Sequence, residues 1–194
     1  QLKAENVIYV EIRFAPLLHC RNKLSASDVV ELVNNVSKKC SEKYGIHYGL
    51  ILCTLRHFDE MQSMETVRLV EKFKNSGVFA LDIAADEAGH SLDNHISAFN
   101  YANDSNIKST AHAGEAKGPE SIRETLKRLK VKRVGHGVRC VEDKDLMKHL
   151  SNKDIHLEIC LTSNIKTATF KSITLHPVDE IFKSNISISL STDG

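Results

Sequence analysis

Short runs rich in β-branched and apolar residues recur along the chain, separated by longer stretches with apolar positions at helical spacing. Seven runs carry the strand-like pattern: Val7 to Phe14, Tyr48 to Leu55, Val78 to Ala84, Ser109 to Ala113, Arg133 to Val138, His156 to Leu161 and Ile186 to Leu190. Amphipathic helical patterns lie between them, over Val29 to Lys43, Ser63 to Asn75, Ser91 to Asn103, Pro119 to Leu129, Glu142 to Ser151 and Pro177 to Lys183. Ser27 is the expected cap of the first helix, and Pro119 and Pro177 sit where a first helical turn tolerates a missing N–H. Strands alternating with helices predict a parallel α/β protein. Seven strands exceed a typical open sheet, and no G-x-G-x-x-G follows the first, so the expected fold is an incomplete (β/α)8 TIM barrel with about seven of its eight strands. No linker or repeat divides the chain, which reads as a single incomplete domain over residues 1–194.

Barrel chemistry is done at the C-terminal ends of strands. Here those ends carry Glu11 and Arg13; Arg56 and His57; Asp82, Asp86 and Glu87; His112 and Glu115; His136; Glu158, Thr162, Ser163 and Asn164; and Thr192 and Asp193. In Thr110-Ala-His-Ala-Gly-Glu115 an imidazole and a carboxylate flank a glycine that lets the chain turn, so both can face one cavity. In Val134-Gly-His-Gly-Val138 two glycines permit unusual backbone angles or close approach around His136. Two histidines and two carboxylates on separate strands are the donors of a mononuclear metallohydrolase. The blander reading gives Glu11 and Arg13 an ion pair in the barrel interior, and Asp86 and Glu87 a solvated loop. Six further histidines, His19, His47, His90, His95, His149 and His156, read as surface or packing residues.

Composition narrows the classes. The 26 basic and 25 acidic residues nearly cancel, and no basic stripe interleaved with aromatics is present, which argues against a nucleic-acid partner. No apolar run approaches the roughly 20 residues of a membrane span. The five cysteines form no C-x-x-C pair, so neither a disulfide framework nor a cysteine zinc site is expected, and a reducing cytoplasm fits best. Gln1 is not an initiator Met and Gly194 directly follows a strand-like run, so both ends read as cuts.

The motifs His112-Ala-Gly-Glu115, Gly135-His-Gly137, Cys160-Leu-Thr-Ser-Asn164, His176-Pro177 and Ser191-Thr-Asp193 stand in the order and approximate spacing of the adenosine deaminase family. The resemblance is to bacterial-type members and starts at Tyr9-Val-Glu-Ile-Arg13. It implies zinc-dependent deamination of adenosine or 2′-deoxyadenosine, with one Zn2+ and a purine nucleoside as the small-molecule partner. It further implies that His112 and Asp193 are zinc ligands, that Glu115 shuttles a proton to purine N1, and that His136 orients the zinc-bound water. Asp82 would support the metal site from behind. Three departures follow from the same comparison. The family's first strand, with an H-x-H pair supplying two more zinc ligands, has no counterpart after Gln1, and the C-terminal helices are missing too. Ala85 replaces a family glycine whose N–H meets purine N3, and Gly194 stands where the family has an Asp that bonds purine N7. The piece on its own is therefore expected to be inactive or nearly so.

Overall fold

The structure, a computed structural model, describes residues 1–21 and 23–193. Seven parallel strands form one sheet in chain order: β1 (Tyr9–Phe14), β2 (His47–Leu55), β3 (Val78–Ala84), β4 (Lys108–Ala113), β5 (Arg133–His136), β6 (His156–Ile159) and β7 (Ser187–Leu190). Each neighbouring pair is parallel, and no ladder joins β7 to β1 among the described residues. This is a TIM barrel left open between its first and last visible strands, as the alternation of runs predicts. Helices α1 (Ala26–Tyr44), α2 (Glu60–Phe73), α3 (Ile96–Asp104), α4 (Pro119–Leu129), α5 (Lys144–Asn152), α6 (Leu161–Lys166) and α7 (Val178–Lys183) connect the strands.

Two local expectations change. The cap of α1 is Ser25, not Ser27. Its hydroxyl accepts from the Asp28 N–H at 3.2 Å while the Asp28 carboxylate accepts from the Ser25 N–H at 2.9 Å, a reciprocal pair that Ser27 has no acidic partner to make. Ser27 instead accepts from Lys72 Nζ at 2.7 Å. The run expected to continue as strand to Leu161 stops at Ile159, where the Ser191 N–H reaches the Ile159 carbonyl at 2.9 Å, and the chain then turns into α6. Thr162, Ser163 and Asn164 thus lie on a short helix over the barrel mouth.

The apolar layer lies between sheet and helices. Leu52, Leu81, Ile83 and Val134 from the strands pack with Val67, Val70, Phe99, Ile122, Leu129 and Leu146 from α2, α3, α4 and α5, all in one cluster of buried residues. Each large side chain buried there contributes on the order of 1.5–3 kcal/mol relative to exposure. Some of the strand positions that alternate with these face inward and carry charge, Asp82 and Arg133 among them. Arg133 of β5 pairs with Glu11 of β1 at 2.6 Å and with Glu158 of β6. Arg13 of β1 pairs with Glu158 at 2.5 Å and with Asp82 of β3 at 3.2 Å. Glu158 is 3% exposed and Asp82 fully buried, so the interior ion pairing that the sequence suggests for Glu11 and Arg13 is an ionic layer across the barrel, each paired with residues of other strands.

Removing one member of such a set strands its partners in a poorly solvated interior, at a cost of about 3–5 kcal/mol for a simple pair. Glu158→Gln should fall near the low end, because both arginines keep a second carboxylate. The expected result is a Tm lowered by about 6–12 °C in thermal unfolding. Lys183→Ala, which breaks a pair that is 72% exposed on both sides, should move Tm by about 2 °C at most.

Candidate active site

The C-terminal ends of β3, β4, β5 and β7 converge on a cavity of about 770 Å3 lined by Ala85, Glu87, His112, Glu115, His136 and Asp193, with Arg139 and Thr167 at its side. Sharp turns bring these side chains in. Gly114 has φ +70° and Gly137 φ +66°, both in the left-handed region that glycine enters without strain. Gly135 serves close approach instead: a Cβ there would sit 3.0–3.1 Å from the His112 ring. His136 itself has φ +60°, uncommon for a non-glycine residue.

Glu115, His136 and Asp193 are the tightest group, each offering a ligand atom within 4.8 Å of the others. His136 Nε2 lies 3.5 Å from Glu115 Oε2 and 3.8 Å from Asp193 Oδ2. His112 lines the same cavity with its ring centroid 5.2 Å from that of His136, but stands outside the tightest group. Its Nδ1 faces Asp82 Oδ1 at 3.2 Å and the Ile83 carbonyl at 3.1 Å, which leaves Nε2 free for a ligand. A carboxylate behind an imidazole is the usual way to orient a metal-binding histidine. The donor set, one imidazole so oriented and one carboxylate across the cavity, suits Zn2+.

Electrostatics follow from burial. Asp82 is fully buried, which alone would raise its carboxyl, but His112 and Arg13 bring it down to about 2. For His112 burial works against the charged form, and the Asp82 carboxylate outweighs it, so this imidazole is raised above its ordinary value. Burial, with His112 alongside, lowers His136.

Glu87 is the residue whose part the sequence concealed. Its neighbour Asp86 is exposed and caps a turn by accepting from the Ala88 and Gly89 N–H groups. Glu87 turns inward, 5% exposed, and accepts from four consecutive N–H groups, Gly114 at 2.7 Å, Glu115 at 3.1 Å, Ala116 at 2.7 Å and Lys117 at 3.0 Å, and from Ser121 Oγ at 2.5 Å. These donors outweigh burial and hold its carboxyl below the usual value. Among the motifs, only the Gly114 turn hinted at it, since a turn of successive N–H groups needs an acceptor. Arg56, buried after β2, donates to the His112 carbonyl at 2.9 Å and steadies the same strand end. Of the residues singled out in sequence, Gly194 lies outside the described residues. Ala85 is on the cavity wall with φ +76°.

A family model described as adenosine deaminase matches residues 1–194. Adenosine deaminase of Clostridium acetobutylicum is 36% identical over 191 residues, covering 98% of this chain and 57% of the relative. Among solved structures, adenine deaminase from Arthrobacter aurescens superposes with a TM-score of 0.90 at 24% identity, over 99% of this chain and 58% of that one, a likeness of fold. N6-methyl-AMP deaminase from Arabidopsis thaliana gives 0.89 at 29% identity with the same coverage. The chain thus spans less than two thirds of the length of these relatives.

Two measurements test the site's construction. Glu87→Gln replaces an acceptor-only group by one whose NH2 end opposes backbone donors, and should cost about 1.5–3 kcal/mol, a Tm lower by about 3–12 °C. Because Glu87 is depressed in the folded state, its stabilisation is complete above the ordinary carboxylate value of 4.5 and is lost as pH falls through the lower folded value. The gap in stability between wild type and Glu87→Gln should therefore be wide at pH 7 and narrow towards pH 3. Ala85→Gly should relieve left-handed strain of about 1–2 kcal/mol, partly offset by the freer unfolded chain, for a net Tm rise of about 1–4 °C.

The matched family model and the 36% identical relative together establish that the chain belongs to the adenosine deaminase family.

Proposed function

We propose that the whole protein hydrolyses adenosine and 2′-deoxyadenosine to inosine and 2′-deoxyinosine, releasing ammonia, with one Zn2+ as cofactor. The single observation that carries the reading is the convergence of Glu115, His136 and Asp193 within 4.8 Å at the mouth of the barrel, beside an imidazole backed by a carboxylate. Residues 1–194 would be one incomplete barrel domain of that protein. The five free cysteines fit a reducing compartment such as the cytoplasm.

In this reading His112, through Nε2, and Asp193 hold the zinc, which when bound there supplies a nucleophile at neutral pH by lowering the pKa of a water to about 7. Glu115 carries the proton for purine N1. Addition of oxygen at C6 breaks the aromaticity of the ring and loads its electrons onto N1, so a carboxylic acid aimed at that atom acts where charge develops. Oε1 of Glu115 is held by Thr167 Oγ1 at 3.1 Å and Asn164 Nδ2 at 3.4 Å, which leaves Oε2 to face the reacting centre. His136 faces the attacking oxygen, and Asp82 keeps the His112 ring in place. The N–H of Ala85 would meet purine N3.

A second reading, a nucleotide substrate, is favoured by the likeness to N6-methyl-AMP deaminase. The assay should therefore follow ultraviolet absorbance with adenosine, 2′-deoxyadenosine, AMP and N6-methyl-AMP in parallel. The expected outcome is turnover of the two nucleosides, abolished by a chelator and restored by zinc. Glu115→Gln should lower kcat by about 10²–10⁴-fold. Turnover of N6-methyl-AMP alone would move the reading to the nucleotide, and none on any of the four by folded, zinc-loaded protein would end it.

A further inference from the structure

Two motif residues are not yet accounted for: Asn164 on α6, so far only a donor to Glu115, and His176 ahead of Pro177. Both are buried, Asn164 completely and His176 at 6% exposure, and they meet behind His136, itself 1% exposed. The contacts form a chain. The Val178 N–H donates to His176 Nδ1 at 3.2 Å, His176 Nε2 lies 3.2 Å from Asn164 Oδ1, and Asn164 Nδ2 lies 3.1 Å from His136 Nδ1.

Each link admits one direction. A backbone N–H only donates, so His176 Nδ1 is an acceptor without a proton. Burial lowers His176, and the neutral ring must then carry its proton on Nε2 and donate it to Asn164 Oδ1. The amide end facing His136 is consequently the NH2 group. The far side gives the same answer independently: Asn164 Nδ2 is also 3.4 Å from Glu115 Oε1, where a flipped amide would set carbonyl oxygen against carboxylate. The two hydrogens of the amide are used once each, on His136 Nδ1 and on Glu115. A ring nitrogen that accepts carries no proton, so His136 has its proton on Nε2, the atom that looks into the cavity at Glu115 and Asp193.

We propose that Asn164, steered by His176, is a positioning residue that locks His136 as the neutral Nε2–H tautomer, so that His136 offers the reacting oxygen a hydrogen-bond donor and cannot serve it as a base. The catalytic consequence rests on the proposed deamination; the tautomer does not. It also divides the labour at the mouth. With His136 fixed as a donor, the proton for purine N1 in the proposed reaction falls to Glu115, and the same amide that locks the imidazole orients that carboxylate.

The test is nitrogen NMR of the histidine side chains in the whole protein, metal-free and zinc-loaded, with His136 picked out of the ten histidines by the signal lost in His136→Gln. The expected pattern in both forms is a protonated Nε2 and a bare Nδ1. An Nδ1–H tautomer or an imidazolium at His136 in the wild type overturns the proposal, with no variant needed. Asn164→Asp, nearly isosteric but able only to accept, should move the proton to Nδ1 and lower kcat by about 10²–10³-fold with KM little changed, the scale expected for a misplaced catalytic proton. A folded Asn164→Asp that keeps the wild-type pattern overturns it equally. Thr167→Val, which removes the other Glu115 donor, should leave the His136 signals in place. Nε2–H at His136 in a protein that deaminates no purine would uphold the lock while removing the proposed function.

Discussion

The ionic layer across the barrel is the constraint on which the rest depends. Glu158 holds Arg13 and Arg133, Arg133 reaches Glu11, and Arg13 reaches Asp82, so one connected set of charges ties β1, β3, β5 and β6 together. Asp82 is its last member and also the partner of His112 on β4. Among the described residues no ladder closes the wall between β1 and β7, and these pairs supply cross-barrel contacts that the backbone there does not. The buried carboxylates Asp82 and Glu158 each face a cation from another strand, which is why removing either is felt by several strands.

Above that layer the strand ends share a backbone property. Ala85, Gly114, His136 and Gly137 all have φ between +60° and +76°, at the ends of β3, β4 and β5. Two are glycines and two are not, and left-handed conformation in an alanine or a histidine persists only where surroundings enforce it. The enforcement is visible. The Arg56 N–H reaches the Ala84 carbonyl at 2.9 Å just before Ala85, the Gly137 N–H reaches the Ala113 carbonyl at 2.9 Å just after His136, and Glu87 gathers four N–H groups of the loop after β4. The mouth is thus set by polar side chains that saturate backbone groups, while the apolar cluster outside the sheet carries the bulk of the burial.

Much of this was legible in the sequence, and unevenly so. The strands were readable because a parallel barrel strand is a compact β-branched run, and Pro119 marked its helix start to the residue. Glu115, His136 and Asp193 were readable because motifs placed them at strand ends. What stayed hidden depends on pairing across the fold. Ser25 caps α1 only because Asp28 answers it. Leu161 continues an apolar run yet starts a helix, since the ladder with β7 ends one rung earlier. Glu87 looks like any acidic loop residue until the loop after β4 is folded over it, and Asn164 and His176 are polar residues twelve apart whose meaning lies in their contact.

That last pair shows why the chemistry and the substrate are separable here. In the proposed reaction the groups of this chain that would handle purine C6 and N1 stand at strand ends and on α6, which share a few short hydrogen bonds and leave little room for variation. No comparable set of buried, mutually fixed groups marks a place for the ribose or a 5′ substituent among the described residues of the cavity wall. Arg139 is the cation on that wall, and it is engaged with Glu142 at 2.7 Å and with the Ala116 carbonyl at 3.1 Å. A phosphate would have to compete with both partners for it. The residues of this chain therefore constrain the chemistry at the base more tightly than the size of what the base is attached to.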